Sequence, residues 1–245
     1  MKWKLLILWV VAMIITALVA GCASTLQHLS PAKLGEYSYV RKDAYLGTPL
    51  RVIPIWIDKN FGAGDQLAID DAINQWNYAM NGYVVLKVVD TSFDMEVDKI
   101  TKQVAEGGWL FMKIDSSNKI VPDHKDKDKG YWTIGFTEKL GGSHMYLVRD
   151  RLRNEDVFGV TLHEIGHLMG SDHVGERLMY PHYGRARFQC IDQETIKAVA
   201  KWWDLNYGVL NYCIDATPGG TPLPKIDGGA EVVNCPFGDP ILGKE

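Results

Sequence analysis

The chain has no apolar run of full membrane-spanning length, no surplus of basic residues, no Cys-x₂-Cys pair and no internal repeat. Each absence removes a class of protein. The longest apolar run, Leu5 to Ala20, is 16 residues broken only by Thr16, which is short for a transmembrane helix. With 26 Lys and Arg against 30 Asp and Glu, the formal charge is −4, so the electrostatic footprint of a nucleic-acid-binding protein is missing. The four cysteines lack the short spacing of a thiolate zinc site. What remains is an ordinary globular composition, 47% hydrophobic and 23% charged in 245 residues, enough for one domain with a sizeable core and tails.

The apolar run follows Lys2 and Lys4 and has the shape of a secretion signal. It ends in Leu18-Val19-Ala20-Gly21-Cys22, small residues abutting a cysteine. This resembles the lipobox of bacterial lipoproteins. The resemblance implies cleavage before Cys22, lipidation of that cysteine, and an extracytoplasmic body held at a membrane. Ala23, an uncharged residue after the cysteine, implies the outer membrane if the cell is Gram-negative. A plain signal or an uncleaved anchor would equally put the body outside the cytoplasm. Loss of residues 1–21 leaves 24 positive against 30 negative side chains. Of the remaining cysteines, Cys190, Cys213 and Cys235, a disulfide is permitted in that compartment. Cys213–Cys235 would staple the C-terminal tail to itself, and Cys190–Cys213 would bracket the last helix; a bond involving the tail is favoured.

The chain divides into a signal (1–21), a tether (22–48), a domain (49–210) and an irregular Pro/Gly-rich extension (211–245). Residues 50–58 read as a strand, with Pro54 pointing to an edge or a bulge. Asp65 is placed to cap a helix over 66–80, whose apolar face is Ile69, Ile73, Trp76 and Met80, and Asn81-Gly82 stops it. Tyr83–Val89, Trp109–Ile114, Tyr131–Phe136 and His144–Val148 read as strands, and the charged run 123–130 as a solvated loop. Asn154 is placed to cap a helix running to Met169, with Glu155 and Asp156 in its first turn. A last helix starts at Asp192, burying Ile196, Val199, Ala200 and Trp203.

Chemistry concentrates in residues 163–173, HEIGHLMGSDH. His163 and His167, four apart on a helix, project from one face one turn apart, which suits two ligands of a tetrahedral ion. Glu164 can reach a water at the metal without ligating it. If the helix continued, His173 would lie about 15 Å along the axis from His163, so the helix has to stop. Gly170 supplies the stop, because it takes the left-handed conformation without a Cβ penalty. A helix with incidental surface histidines would not require that glycine or the third histidine.

The pattern His-Glu-x-x-His-x-x-Gly-x-x-His is that of the metzincin metallopeptidases. Leu178-Met179-Tyr180-Pro181 resembles their Met-turn, in which a methionine lies beneath the zinc. Pro181-His182-Tyr183 resembles the segment that walls the S1′ pocket in matrixins, and the order of elements over about 48–208 is matrixin-like. Pro181, two residues after Met179, replaces the zinc-binding tyrosine of astacin-type and serralysin-type enzymes, which favours the matrixin branch.

The resemblance implies an α+β zincin-like domain: a twisted, mixed, mostly parallel sheet and three main helices, with the zinc site on the second. It implies a zinc endopeptidase in which His163, His167 and His173 hold Zn²⁺ and Glu164 acts as general base on the attacking water. Met179 forms the Met-turn, and Pro181 and Tyr183 line the substrate pocket. It further implies that an extended peptide pairs with a sheet-edge strand near His144–Val148. Other readings of the same fold are a non-catalytic surface-binding lipoprotein and a cell-wall peptidase. No cysteine-switch latency is expected. His124, Asp126 and His144 match a matrixin structural zinc site poorly and read better as a charged loop and a strand histidine. Structural Ca²⁺ has no support in the sequence. The expected partners are a protein or peptide substrate and, through Cys22, a membrane; nucleic acid is not expected, and the protein is expected to be a monomer.

Overall fold

The computed structural model describes residues 37–94, 107–122, 131–184, 189–215 and 241–244. The signal, Cys22, the loop 123–130 and Cys235 lie outside these. Among the described residues, no helix is long and apolar enough to cross a membrane.

The described residues form eight strands and three α-helices: β1 Tyr37–Val40, β2 Arg51–Asp58, α1 Ala63–Ala79, β3 Val84–Phe93, β4 Trp109–Ile114, β5 Tyr131–Thr137, β6 His144–Val148, α2 Val157–Leu168, α3 Gln193–Trp202, β7 Tyr212–Asp215 and β8 Ile241–Lys244. The main sheet has the order β3-β2-β4-β6-β5-β8. Pairs β2–β3, β2–β4 and β4–β6 are parallel, whereas β5 runs antiparallel to both β6 and β8. This is the expected mixed, mostly parallel sheet with three helices.

Alternation along the strands buries both faces of the sheet. Ile53, Ile55 and Ile57 of β2, Trp109 and Phe111 of β4, and Met145 and Leu147 of β6 share one core with residues of all three helices. Leu110, Met112, Ile114, Phe136, Tyr146 and Val148 face the other way and close a smaller core with Phe93. Trp76 on α1 is fully buried, and its indole N–H donates to the Leu162 carbonyl of α2 at 2.9 Å. That bond satisfies the polar tip of a large apolar side chain and fixes α1 against the helix carrying the site.

Several expectations need correction. Asp65 does not cap α1: Gly62 is the N-cap and makes no side-chain cap bond. Asp65 sits instead in the first turn, buried, accepting from Arg149 Nε at 2.8 Å, because an ion pair offsets burial of the carboxylate better than solvent-facing capping. Asn154 likewise does not cap α2. It begins a separate 3₁₀ turn, Asn154–Asp156, ahead of a helix that starts at Val157, and its side-chain oxygen accepts from Arg149. Pro54 lies in an interior strand rather than at an edge, while the bulge alternative holds, since the β2–β3 register shifts just after Ile55. Pairing with β4 begins only at Ile55, so the missing N–H of Pro54 costs no bond in that ladder.

The segment 211–245 is not irregular throughout. It contributes β7, antiparallel to β1 in the supposed tether, and β8, the sixth strand of the main sheet. The disulfide is Cys190–Cys213, the alternative that brackets α3. Finally, His144–Val148 is not an edge strand. β6 is enclosed between β4 and β5.

Candidate metal centre and active site

Helix α2 is buried along its whole length, which places His163, Glu164 and His167 in the interior. Its end is a Schellman motif: the amide of Ser171 donates to Gly166 O at 2.9 Å and that of Gly170 to His167 O at 3.0 Å, with Gly170 at φ +90°. This is the geometry that a left-handed C′ glycine makes. The reversed chain brings His173 back to the helix face. The metal-binding atoms of His163, His167 and His173 all lie within 4.8 Å of one another, and the two helix-borne Nε2 atoms are 3.1 Å apart.

Each helical imidazole is oriented by a backbone carbonyl. His163 Nδ1 lies 2.5 Å from Leu178 O and His167 Nδ1 2.8 Å from Ser171 O. A carbonyl can only accept, so Nδ1 carries the hydrogen and Nε2 keeps its lone pair for a ligand. Burial lowers the basicity of all three rings. His163 falls well below the usual histidine range; His167 is lowered to about 4 and His173 to about 3, with neighbouring histidines adding to the depression of His163 and His173. The triad is therefore neutral at physiological pH, the form that binds a metal.

Glu164 is fully buried, and neither carboxylate oxygen finds a hydrogen-bond partner among the described residues. Burial pushes its pKa well above the carboxylate range. An unpaired buried carboxylate is costly unless a cation and a polar ligand occupy the neighbouring space. Three neutral nitrogen donors suit a divalent, nitrogen-preferring ion such as Zn²⁺. Among the described residues they form the one cluster that could hold a metal.

With the fold and this cluster in view, comparison with known families is decisive. The matrixin model of the M10 peptidases matches residues 69–204. The chain belongs to the matrixin family. No curated protein matches it. As a matrixin, it carries a metallopeptidase-type domain, and the three-histidine cluster fits the family's zinc.

The other anticipated residues are distributed around this centre. Met179 is fully buried, and a Cβ on Gly166, between the two helical histidines, would come within 2.5 Å of its Sδ. The methionine thus lies against the backbone of the helix that carries His163 and His167. Tyr183 packs on the main core and donates its hydroxyl hydrogen to Asp156 at 2.7 Å, tethering its segment to the start of α2. Pro181 is partly buried. His144 approaches Glu138 at 3.3 Å and belongs to no metal cluster among the described residues; His124 and Asp126 fall outside them.

Sequence reasoning missed three contributors. A Cβ on Gly135 of β5 would meet Val160 Cγ1 at 2.7 Å and Glu164 Oε1 at 3.0 Å, so the glycine makes room for the carboxylate. Gly166 does the same for Met179. Asp192, readable as an N-cap, does more than cap α3. One oxygen accepts from the Glu194 and Thr195 amides, and the other from Thr195 Oγ1 and, at 3.2 Å, from the Leu178 amide. That last bond holds the peptide segment whose carbonyl orients His163. None of these had a local signal, because each depends on elements distant in sequence.

Proposed function

We propose that this matrixin is a zinc-dependent endopeptidase, with His163, His167 and His173 as metal ligands and Glu164 as general base. The observation that carries the reading is Glu164, fully buried, without a hydrogen-bond partner for its carboxylate among the described residues, and next in the chain to His163 of the three-histidine cluster. Nothing in packing favours a buried carboxylate there, whereas a proton acceptor for hydrolysis has to be there. Bound zinc supplies Lewis-acid polarisation of the scissile carbonyl and acidifies the attacking water. Glu164 accepts the proton of that water and delivers it to the leaving amine. The Leu178 and Ser171 carbonyls keep the imidazoles from rotating, and Met179 supports the helix backbone from below. Pro181 and Tyr183 line the pocket for the side chain beyond the cleaved bond; the Tyr183–Asp156 hydrogen bond supports a fixed wall there.

Incubation of residues 23–245 with unfolded protein, with and without a chelator, tests the reading. Chelator-sensitive cleavage restored by zinc is expected. In Glu164→Ala, stoichiometric zinc should remain while kcat/KM falls by roughly 10²–10⁴-fold, the usual contribution of general-base catalysis. Zinc retention by the wild-type chain without cleavage of any peptide would leave a binding protein and overturn the proposal.

We further propose that Cys22 is lipidated and that the enzyme works outside the cytoplasm at a membrane, on the support of the small-residue-plus-cysteine sequence ending the apolar run. Incorporation of labelled palmitate into the wild-type chain, lost in Cys22→Ala, is the expected result.

A further inference from the structure

The antiparallel strand β5 borders the candidate site: the space above Gly135 is filled by Glu164 and Val160. Its two neighbours differ in kind. On one side lies β6, reached by a short turn. On the other lies β8, from the far C-terminus, with Tyr131 opposite Lys244, Trp132 opposite Gly243, Thr133 opposite Leu242 and Gly135 opposite Ile241. The register shifts between Thr133 and Gly135, so the ladder is irregular next to Glu164. An uncovered β5 would present a row of free N–H and C=O groups, which an extended peptide can pair with by strand addition. In this chain its own terminal segment already does so.

We propose that Ile241–Lys244 is a displaceable occupant of the outer edge of β5, and that this segment competes with extended peptides for the edge. The proposal rests on the endopeptidase reading for its consequence, since the edge leads to Glu164, but the pairing itself does not depend on catalysis. Three features favour a displaceable occupant over a permanent sixth strand. The segment is only four residues long, short for a strand. It is separated from β7 by residues 216–240 in the chain, a far longer connection than a tight hairpin needs. Among the described residues it also pairs with a single neighbour, β5. Such a tether sets an effective concentration on the order of millimolar, enough to exclude weakly bound peptides and to yield to tightly bound ones.

The test compares the full chain with a variant ending at Pro240 and with Leu242→Pro, which removes a backbone donor from the segment. All are zinc-loaded and carry Glu164→Ala so that no peptide is consumed. Amide hydrogen exchange across 131–137 should quicken several-fold in both variants. A fluorescein-labelled peptide of residues 239–245 should bind the shortened chain about tenfold or more tightly than the full chain, as removal of a tethered competitor requires. The same peptide should restore slow exchange at 131–137. Equal exchange and equal affinity in all three proteins would overturn the proposal, as would faster exchange without a gain in affinity. Hydrolysis is scored separately in the Glu164 chains. If the peptide binds as expected but no chain cleaves, the endopeptidase reading fails and the strand occupancy stands. If the chains cleave and the terminal segment changes neither exchange nor affinity, the occupancy fails and the peptidase reading stands.

Discussion

Asp192 shows how a single side chain serves two layers of the site. Its carboxylate caps α3 and, through the Leu178 amide, positions the carbonyl that accepts from His163. Loss of an N-cap costs about 1 kcal/mol, and the orphaned Leu178 amide adds a penalty of about 1–3 kcal/mol. Asp192→Ala is therefore expected to lower both stability and zinc affinity, the latter by about 10–100-fold, the usual effect of removing an outer-shell partner. Zinc competition against a chromophoric chelator reads the affinity, and thermal melting of the metal-free protein reads the stability. A variant that melts earlier but keeps full zinc affinity would reduce Asp192 to a cap. At the same scale, His163, Glu164 and His167 were legible from spacing because they lie within about one turn of one helix, and His173 from the glycine that lets the chain reverse before it. Gly135, Gly166 and Asp192 were not, since what each accommodates or anchors comes from another part of the chain.

Among the elements, the end of α2 decides whether three histidines can meet. Gly170 holds φ +90°, and a Cβ there would fall 2.1 Å from Trp202 Cγ at the end of α3. Substitution thus combines backbone strain of about 1–3 kcal/mol with a clash against the last helix. Gly170→Ala should shift His173 relative to His163 and His167. The expected outcome is weakened zinc binding with His163 and His167 still on an intact α2, read by zinc titration alongside circular dichroism. Unchanged zinc affinity would show that the turn tolerates a side chain. The helices and strands themselves were largely readable from hydrophobic period. Their order in the sheet was not: a short apolar run marks β6 as a strand but does not say that β5, rather than β6, lies towards the edge. The caps failed for a related reason, as Arg149 claims both Asp65 and Asn154.

For the molecule as a whole, the buried triad links stability to pH. The three histidines of the metal-free protein have folded pKa values below the ordinary value near 6.5. Their contribution is present above pH 6.5 and is lost as the pH falls through the folded values, about 4 for His167 and about 3 for His173. Glu164, raised by burial, acts with the opposite sign, since its folded form holds a proton that the unfolded form releases. Three protons taken up on unfolding outweigh one given up, so stability rises with pH through the interval from about 4.5 to 6.5. The melting temperature of chelator-treated protein should therefore fall as the pH is lowered from 7 to 5. A melting temperature that is flat over this range, or higher at pH 5, would show that the histidines are not buried as a neutral cluster. Zinc should raise the melting temperature at pH 7 by mass action and lose that effect on acidification as protons compete for the imidazoles.

Local sequence determined the parts whose cause is local. The helix carrying His163 and His167, the glycine that ends it, the methionine that follows and the amphipathic helices around them rest on spacings of a few residues, for which backbone geometry leaves few alternatives. Tertiary structure decided what depends on distant partners: Cys190 with Cys213 rather than Cys235, the room that Gly135 leaves for Glu164, and the anchoring of Leu178 by Asp192. It also placed β8 on the outer edge of β5. Strand pairing is read by backbone hydrogen bonds that nearly every residue can make, so the sequence carries little record of which strand lies beside which.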